Sequence, residues 1–285
     1  MEVHPRLVAT DLDGTLLRPD KSLSARTAAA LDEFQLRGGQ VVLVTGRPVR
    51  WLPAVYEQLQ APVPAVCANG AVVYEPRTDT VLRADPLAPE IMAEVARRLR
   101  AEVPDVVFAV EVDDGRLMRH GTDWPAHWNS DHPTARQVTD SAELLTAPAV
   151  KLLARSSFTD DPEVFVRIVA GALAGLAEAT HSSKSGLVEI SAAGVTKAAG
   201  LAWLCARWQI GAADVVAFGD MPNDVPMLTW AGQAVAVANA HPTVQDIADA
   251  VTASNADDGV AAYLEQLLAQ SQRYWPVRVP PPSPG

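Results

Sequence analysis

Cysteine is nearly absent from this 285-residue chain: Cys67 and Cys205 stand far apart, with no partner at metal-ligand spacing. That excludes a disulfide framework and fits a reducing compartment. Positive charge is also scarce, with 23 Lys and Arg against 34 Asp and Glu and a formal net charge of -11. Such a surface repels nucleic acid and anionic membranes, so any charge that binds phosphate has to be local. No apolar run approaches the length of a bilayer span, and Met1-Glu2-Val3-His4-Pro5-Arg6 leads into a strand-like segment without a signal-peptide apolar region. The expectation is a soluble, cytoplasmic protein. Internal repeats are not evident.

What is present suffices for a globular protein of one large domain or two ordinary ones, since 48% of the residues are hydrophobic. Short apolar runs end in small or polar residues: Leu7 to Thr10 before Asp11, Val41 to Val44 before Thr45, and Val215 to Phe218 before Gly219-Asp220. Weaker runs lie at Ala65 to Cys67, before Asn69-Gly70, and at Ala234 to Val237. Each reads as a buried parallel strand. Helical patterns lie between them, at Ser24 to Arg37 and Lys197 to Trp208. The alternation predicts an α/β fold with a doubly wound, Rossmann-like, mainly parallel sheet, whose ligands sit at the carboxyl ends of the strands.

The middle of the chain predicts an α+β unit. A helix is expected over Pro86 to Val103, then a hairpin turning at Asp113-Asp114-Gly115, a strand over Ala149 to Ala154, a helix over Pro162 to Leu173 and a second hairpin turning at Ser183 to Gly186. An inserted cap is therefore expected at residues 84–188, a discontinuous core at 1–83 and 189–272, and a proline-rich tail at 273–285.

The strand ends carry the chemistry. Phosphate monoesters are so inert that enzymic accelerations reach the order of 10²¹, whereas one general acid or base supplies about 10² to 10⁴. Several devices must act together. In Asp11-Leu12-Asp13-Gly14-Thr15, Asp11 is the expected nucleophile and Asp13, two residues on and pointing to the same side, the expected acid and base. Carboxylates beside a phosphate demand a cation, and Gly219-Asp220-Met221-Pro222-Asn223-Asp224 adds oxygen ligands of the kind that favour Mg²⁺. The expected metal set is Asp11, Asp220 and the Asp13 carbonyl, with Asn223 or Asp224 in direct or water-mediated support. Lys197, at a helix start, is expected to balance charge on Asp11 and on the phosphoryl oxygens. Thr45 is expected to donate to phosphate, Gly46 and Asn69 to line the substrate site, and Arg47 either to contact substrate or to anchor its loop.

These residues resemble the haloacid dehalogenase superfamily, in its Cof-type branch with a large α/β cap. Asp11 to Thr15 is similar to the first motif, Val44-Thr45-Gly46-Arg47 to the second, Val195-Thr196-Lys197 to the third and Gly219-Asp220 through Asp224 to the fourth. Asn69-Gly70 and Asn255-Ala256-Asp257-Asp258-Gly259-Val260 resemble other segments of the branch. Met221-Pro222 departs from the usual glycine followed by a polar residue. The resemblance implies a phosphatase acting on small phosphorylated metabolites, often sugar or cofactor phosphates, with the cap closing over the substrate.

Alternatives are a phosphotransferase or mutase that passes the phosphoryl group to a sugar hydroxyl, and a non-catalytic module that binds a phosphometabolite. In the cap, Trp124, His127, Trp128, Asn129 and His132 can stack on or bond a substrate or simply pack a loop, and Lys151 faces either the site or solvent. His120, His127 and His132 match no compact zinc spacing.

Overall fold

The computed structural model describes residues 5–125, 133–139, 141–157, 161–181 and 186–271. His127, Trp128, Asn129 and His132, the turn at 182–185 and the tail at 273–285 lie outside them. The chain opens with β1 (Leu7–Thr10), α1 (Ala25–Leu36), β2 (Gln40–Val44), a short α2 (Pro53–Tyr56), β3 (Ala65–Cys67), β4 (Val72–Glu75) and β5 (Thr80–Ala84). A middle segment follows with α3 (Pro89–Glu102), β6 (Val107–Val112), β7 (Leu117–His120), β8 (Ala135–Gln137), α4 (Ser141–Leu144), β9 (Lys151–Arg155), α5 (Pro162–Leu173), β10 (Ala177–Thr180) and β11 (Leu187–Ala192). The chain then returns through α6 (Lys197–Arg207), β12 (Val215–Gly219), α7 (Val225–Trp230), β13 (Gln233–Val237), α8 (Pro242–Ile247), β14 (Ala250–Thr252) and α9 (Gly259–Ser271).

The first and last parts share one eight-stranded sheet of the described residues, in the order β14-β13-β12-β1-β2-β3-β4-β5. From β14 to β3 every pairing is parallel, and β4 and β5 close the edge as an antiparallel hairpin. Strands covered on both faces need no polar alternation, which is why β1 reads Leu-Val-Ala-Thr with every residue buried. Alternate residues feed opposite layers. Val8, Val41, Leu43, Val216 and Phe218 pack under α1 and α9, whereas Leu7, Ala9, Val42, Val44, Val215 and Ala217 pack under α6 and α7. Helix α1 starts where the Ser24 hydroxyl accepts the Thr27 N–H at 3.0 Å, and it stops at Gly38, whose φ of +89° suits glycine. It buries Ala30, Leu31 and Phe34.

The second sheet runs β10-β11-β9-β6-β7-β8, antiparallel except between β7 and β8. One face packs on α3 and α5 through Phe108, Val110, Leu152, Ala154, Val188 and Ile190. The pleat therefore turns Ala109, Glu111, Lys151, Leu153, Leu187 and Glu189 to the opposite face, over the carboxyl ends of the first sheet.

Two details differ from the expected division. Residue 188 falls inside β11, which stays paired with β9 and β10 and runs to Ala192, so the return to the core comes four residues later. Ala84, expected to open the cap, is still paired to Val72 in the core sheet. The β4–β5 hairpin itself was not expected, because Val72 to Glu75 follows the Asn69-Gly70 turn too closely to stand out as a separate run.

Candidate active site

Parallel register brings the strand ends to one edge: Thr10 lies opposite Phe218 on one side and Leu43 on the other, and Val44 lies opposite Val66. Asp11, Thr45 and Asp220 are the next polar residues on their strands, and all three are buried. The Asp11 N–H donates to the Phe218 carbonyl at 3.0 Å and the Thr45 N–H to the Val66 carbonyl at 2.8 Å, so each side chain leaves the sheet from a fixed backbone.

Lys197 is the first residue of α6, a start fixed by the Thr196 hydroxyl, which accepts the Ala199 N–H at 3.1 Å. Its ammonium, 1% exposed, donates to Asp11 Oδ1 at 2.6 Å and to Asp224 Oδ1 at 2.5 Å. The other Asp224 oxygen accepts the N–H groups of Asp220 and Met221, both at 3.0 Å. Asp220 Oδ1 accepts the Thr15 hydroxyl at 2.8 Å. Gly14, with a φ of +89°, lets the chain pass so close that a Cβ there would stand 2.2 Å from Asp220 Oδ2.

Asp11, Asp220 and Asp224 bring carboxylate oxygens within 4.8 Å of one another. Three buried acids share one ammonium, and the excess shows in their proton affinity. Burial pushes the Asp11 carboxyl well above its usual range, with Asp224 and Asp220 adding to the rise and Lys197 opposing it. Burial and Asp224 push Asp220 up to about 7. The Lys197 ammonium is held up by Asp11 and Asp224 against its own burial. Such a set fits a hard divalent cation. A second sign is the Asn223 Oδ1, buried without a hydrogen-bond partner, on the loop between Asp220 and Asp224.

Asp13 sits apart from this trio. Its oxygens take two bonds from Arg47, at 2.6 and 2.7 Å, and one from Lys21 at 2.8 Å. Burial works against ionisation, but Arg47 and Lys21 outweigh it and hold the Asp13 pKa below the usual value. Arg47 is thus tied to Asp13 while still lining the cavity described next, and its own N–H donates to the Thr45 hydroxyl at 3.0 Å. The expected ligand-facing role of Asn69 has a different setting in the structure. Its amide is spent inside the protein, donating to Glu189 at 2.7 Å and accepting from Asn223 at 3.1 Å, and it does not line the cavity described next.

A cavity of about 350 Å³ lies between the two sheets. Asp11, Asp13, Thr45, Gly46, Arg47 and Asn223 form its floor, and Met118, Trp124, Leu153 and Leu187 form an apolar ceiling beside Trp51. Two buried ion pairs stand at its side, Arg50 with Glu111 at 2.7 Å and Lys151 with Glu189 at 2.9 Å. Lys151 also donates to the Gly46 carbonyl, so the sequence alternatives for this lysine resolve toward the site. Lys21, Arg50, Glu111 and Glu189 were missed in the sequence. Only the alternation Val188, Ile190 around Glu189 hinted that this carboxylate shares the face of Leu187 rather than that of the apolar layer.

Residues 8–264 match the haloacid dehalogenase-like hydrolase family. The chain belongs to that family. It is 30% identical over 270 residues to the 5-amino-6-(5-phospho-D-ribitylamino)uracil phosphatase YitU of Bacillus subtilis, covering 94% of this chain and all of the relative. It is 32% identical over 273 residues to the pyridoxal phosphate phosphatase YbhA of Escherichia coli, covering 91% and 97%. Among solved structures, SMU.1108c from Streptococcus mutans superposes with a TM-score of 0.80 at 24% identity, over 93% of this chain and 99% of the other, which speaks to the fold. As a haloacid dehalogenase-like hydrolase whose relatives are named phosphatases, the chain is a phosphoric monoester hydrolase. No helix among the described residues is long and apolar enough to cross a membrane.

Proposed function

We propose that this chain is a Mg²⁺-dependent phosphatase that hydrolyses the phosphate ester of a small, flat heterocyclic alcohol through an aspartyl phosphate on Asp11. The observation that carries the reading is the shared ammonium: Lys197 fixes one Asp11 oxygen while Asp13, held by Arg47, stands two residues away on the same cavity floor. The substrate class is supported by the ceiling of Met118, Trp124, Leu153 and Leu187 next to Trp51, which suits a planar ring. It is supported too by the two relatives, whose named substrates both carry one.

Asp11, Asp220 and Asn223 would hold the cation, with Asp224 fixing the loop through its bonds to the Asp220 and Met221 N–H groups. Mg²⁺ in that place would neutralise the acids and polarise a phosphoryl oxygen. The protein's own residues do the rest. The phosphate seats on the floor beside Thr45 and Lys197, and the free Asp11 oxygen attacks phosphorus in line as the bond to the leaving oxygen breaks. Asp13 gives that oxygen its proton. Beside Arg47 and Lys21 Asp13 is a carboxylate, but an arriving phosphate dianion competes for both cations and repels its charge, and both effects raise its pKa. Asp13 then takes a proton from water as the water oxygen attacks the aspartyl phosphate, and Asp11 and inorganic phosphate are released.

The test is Asp11→Asn. Turnover of an aryl phosphate with Mg²⁺ should fall by at least about 10³-fold while the fold persists. Normal turnover by the folded variant would refute the nucleophile.

A further inference from the structure

We infer that Glu189, a cap residue outside the acidic trio, sets the orientation of Asn223 toward the divalent cation through Asn69. The inference rests on the Mg²⁺ reading above. It starts from the pleat, which turns Glu189 to the cavity face of β11, 7% exposed. One of its oxygens accepts from Lys151 Nζ at 2.9 Å and the other from the Asn69 amide nitrogen at 2.7 Å. A carboxylate only accepts, so Asn69 has to present its NH₂ to Glu189. Its oxygen then faces the other way, where it receives the Asn223 amide nitrogen at 3.1 Å. That bond fixes Asn223 in turn. The NH₂ of Asn223 is committed to Asn69, and its Oδ1 is left buried with no protein partner, as a cation ligand or an acceptor for a cation-bound water requires.

The backbone around Asn69 is built to hold this aim. Ala68, Asn69 and Gly70 have φ values of 50°, 58° and 109°, three left-handed residues in succession. A Cβ at Gly70 would stand 2.0 Å from the Thr196 carbonyl, so the loop lies directly against the start of α6 that carries Lys197. The Asn69 N–H is tied to the Thr45 carbonyl at 3.1 Å. The amide cannot swing away without moving the floor. Glu189 is therefore a positioning residue: when the cap is seated it dictates which end of Asn223 the cation meets, and when the cap lifts that instruction is lost.

Two substitutions that each disturb this chain should rescue one another. In Glu189→Gln the new amide keeps its oxygen for Lys151 and offers NH₂ to Asn69, which turns over and turns Asn223 over with it. In Asn69→Asp two carboxylates face each other. In the double variant Asp at 69 accepts from both neighbours, and the original orientation of Asn223 returns. Asp tolerates the left-handed backbone about as Asn does.

Mg²⁺ binding to the substrate-free protein is read by calorimetry, with circular dichroism to confirm folding. Each single variant should weaken binding about tenfold, and the double should recover to within about threefold of wild type. The inference is overturned if Glu189→Gln binds as wild type does, or if the double variant is no tighter than the singles. Misfolded single variants beside a folded, Mg²⁺-binding double would still support it. A wild-type protein that binds no Mg²⁺ overturns the metal reading itself, and this inference with it.

Discussion

Gly14 meets two demands at once, a left-handed backbone and an approach to Asp220 that leaves no room for a methyl group. Gly14→Ala should therefore lower stability by about 1–3 kcal/mol, and it should weaken Mg²⁺ activation because Asp220 must shift; wild-type Mg²⁺ dependence would contradict this. Lys197 makes a sharper case. Lys197→Met leaves Asp11 and Asp224 buried without their cation, a loss of about 3–5 kcal/mol. Millimolar Mg²⁺ should restore part of the melting temperature, and a variant equally stable with and without Mg²⁺ would count against the shared-charge account. At this scale the motifs were legible because aspartates at strand ends, a lysine at a helix start and a glycine after Asp13 each answer a local demand. Glu189 and Lys21 were not, since their partners lie 120 and 8 residues away across loops that no periodicity encodes.

Elements came out of the sequence according to how much they bury. The parallel strands were legible as continuous apolar runs and α1, α5 and α6 as helical patterns, and in the structure these helices start at caps on Ser24, Asp161 and Thr196. The β4–β5 hairpin was hidden because an edge pair needs only one covered face: β5 reads Thr-Val-Leu-Arg-Ala with no residue fully buried. Met221-Pro222, the departure from the family pattern, costs the loop from Asp220 to Asp224 no bond, because the loop relies on the N–H groups of Asp220 and Met221 and Pro222 opens a 3₁₀ turn where no donor is required. Asp258 ties the start of α9 to the chain just after the first motif, through two bonds to Arg18 at 3.0 and 2.9 Å. Burial opposes its ionisation, but Arg18 prevails and the folded pKa lies below the ordinary one. A depressed folded pKa contributes stability above the unfolded value, near about 3.9, and loses it as pH falls through the folded one. Asp258→Asn, which keeps the left-handed φ of 58° comfortable, should melt lower than wild type at pH 6. The two curves should converge in strong acid, and a gap independent of pH would exclude the charge as its cause.

Across the whole molecule, core and cap are joined by buried charges as well as by apolar contact, Val150 lying in the same buried cluster as Leu12 and Leu52. Arg50 of the core meets Glu111 of β6 with both side chains at most 3% exposed, and Lys151 of β9 reaches the Gly46 carbonyl. Ion pairs of this kind return little net stability, yet losing one partner is expensive. Glu111→Ala should therefore release the cap rather than unfold either sheet. The radius of gyration in small-angle scattering should rise, and KM should climb more than kcat falls. An unchanged radius and KM would show that the pair is not what keeps the cavity closed.

The apolar ceiling carries a consequence for how such an enzyme changes occupation. Beneath the floor the charges are fixed by mutual obligation, since Asp11, Lys197 and Asp224 each answer to another and none can vary alone. Met118, Leu153 and Leu187 owe nothing to that exchange of charge. A lineage can redraw the ceiling one side chain at a time, trading one alcohol for another, while the machinery that breaks the phosphate bond is inherited untouched.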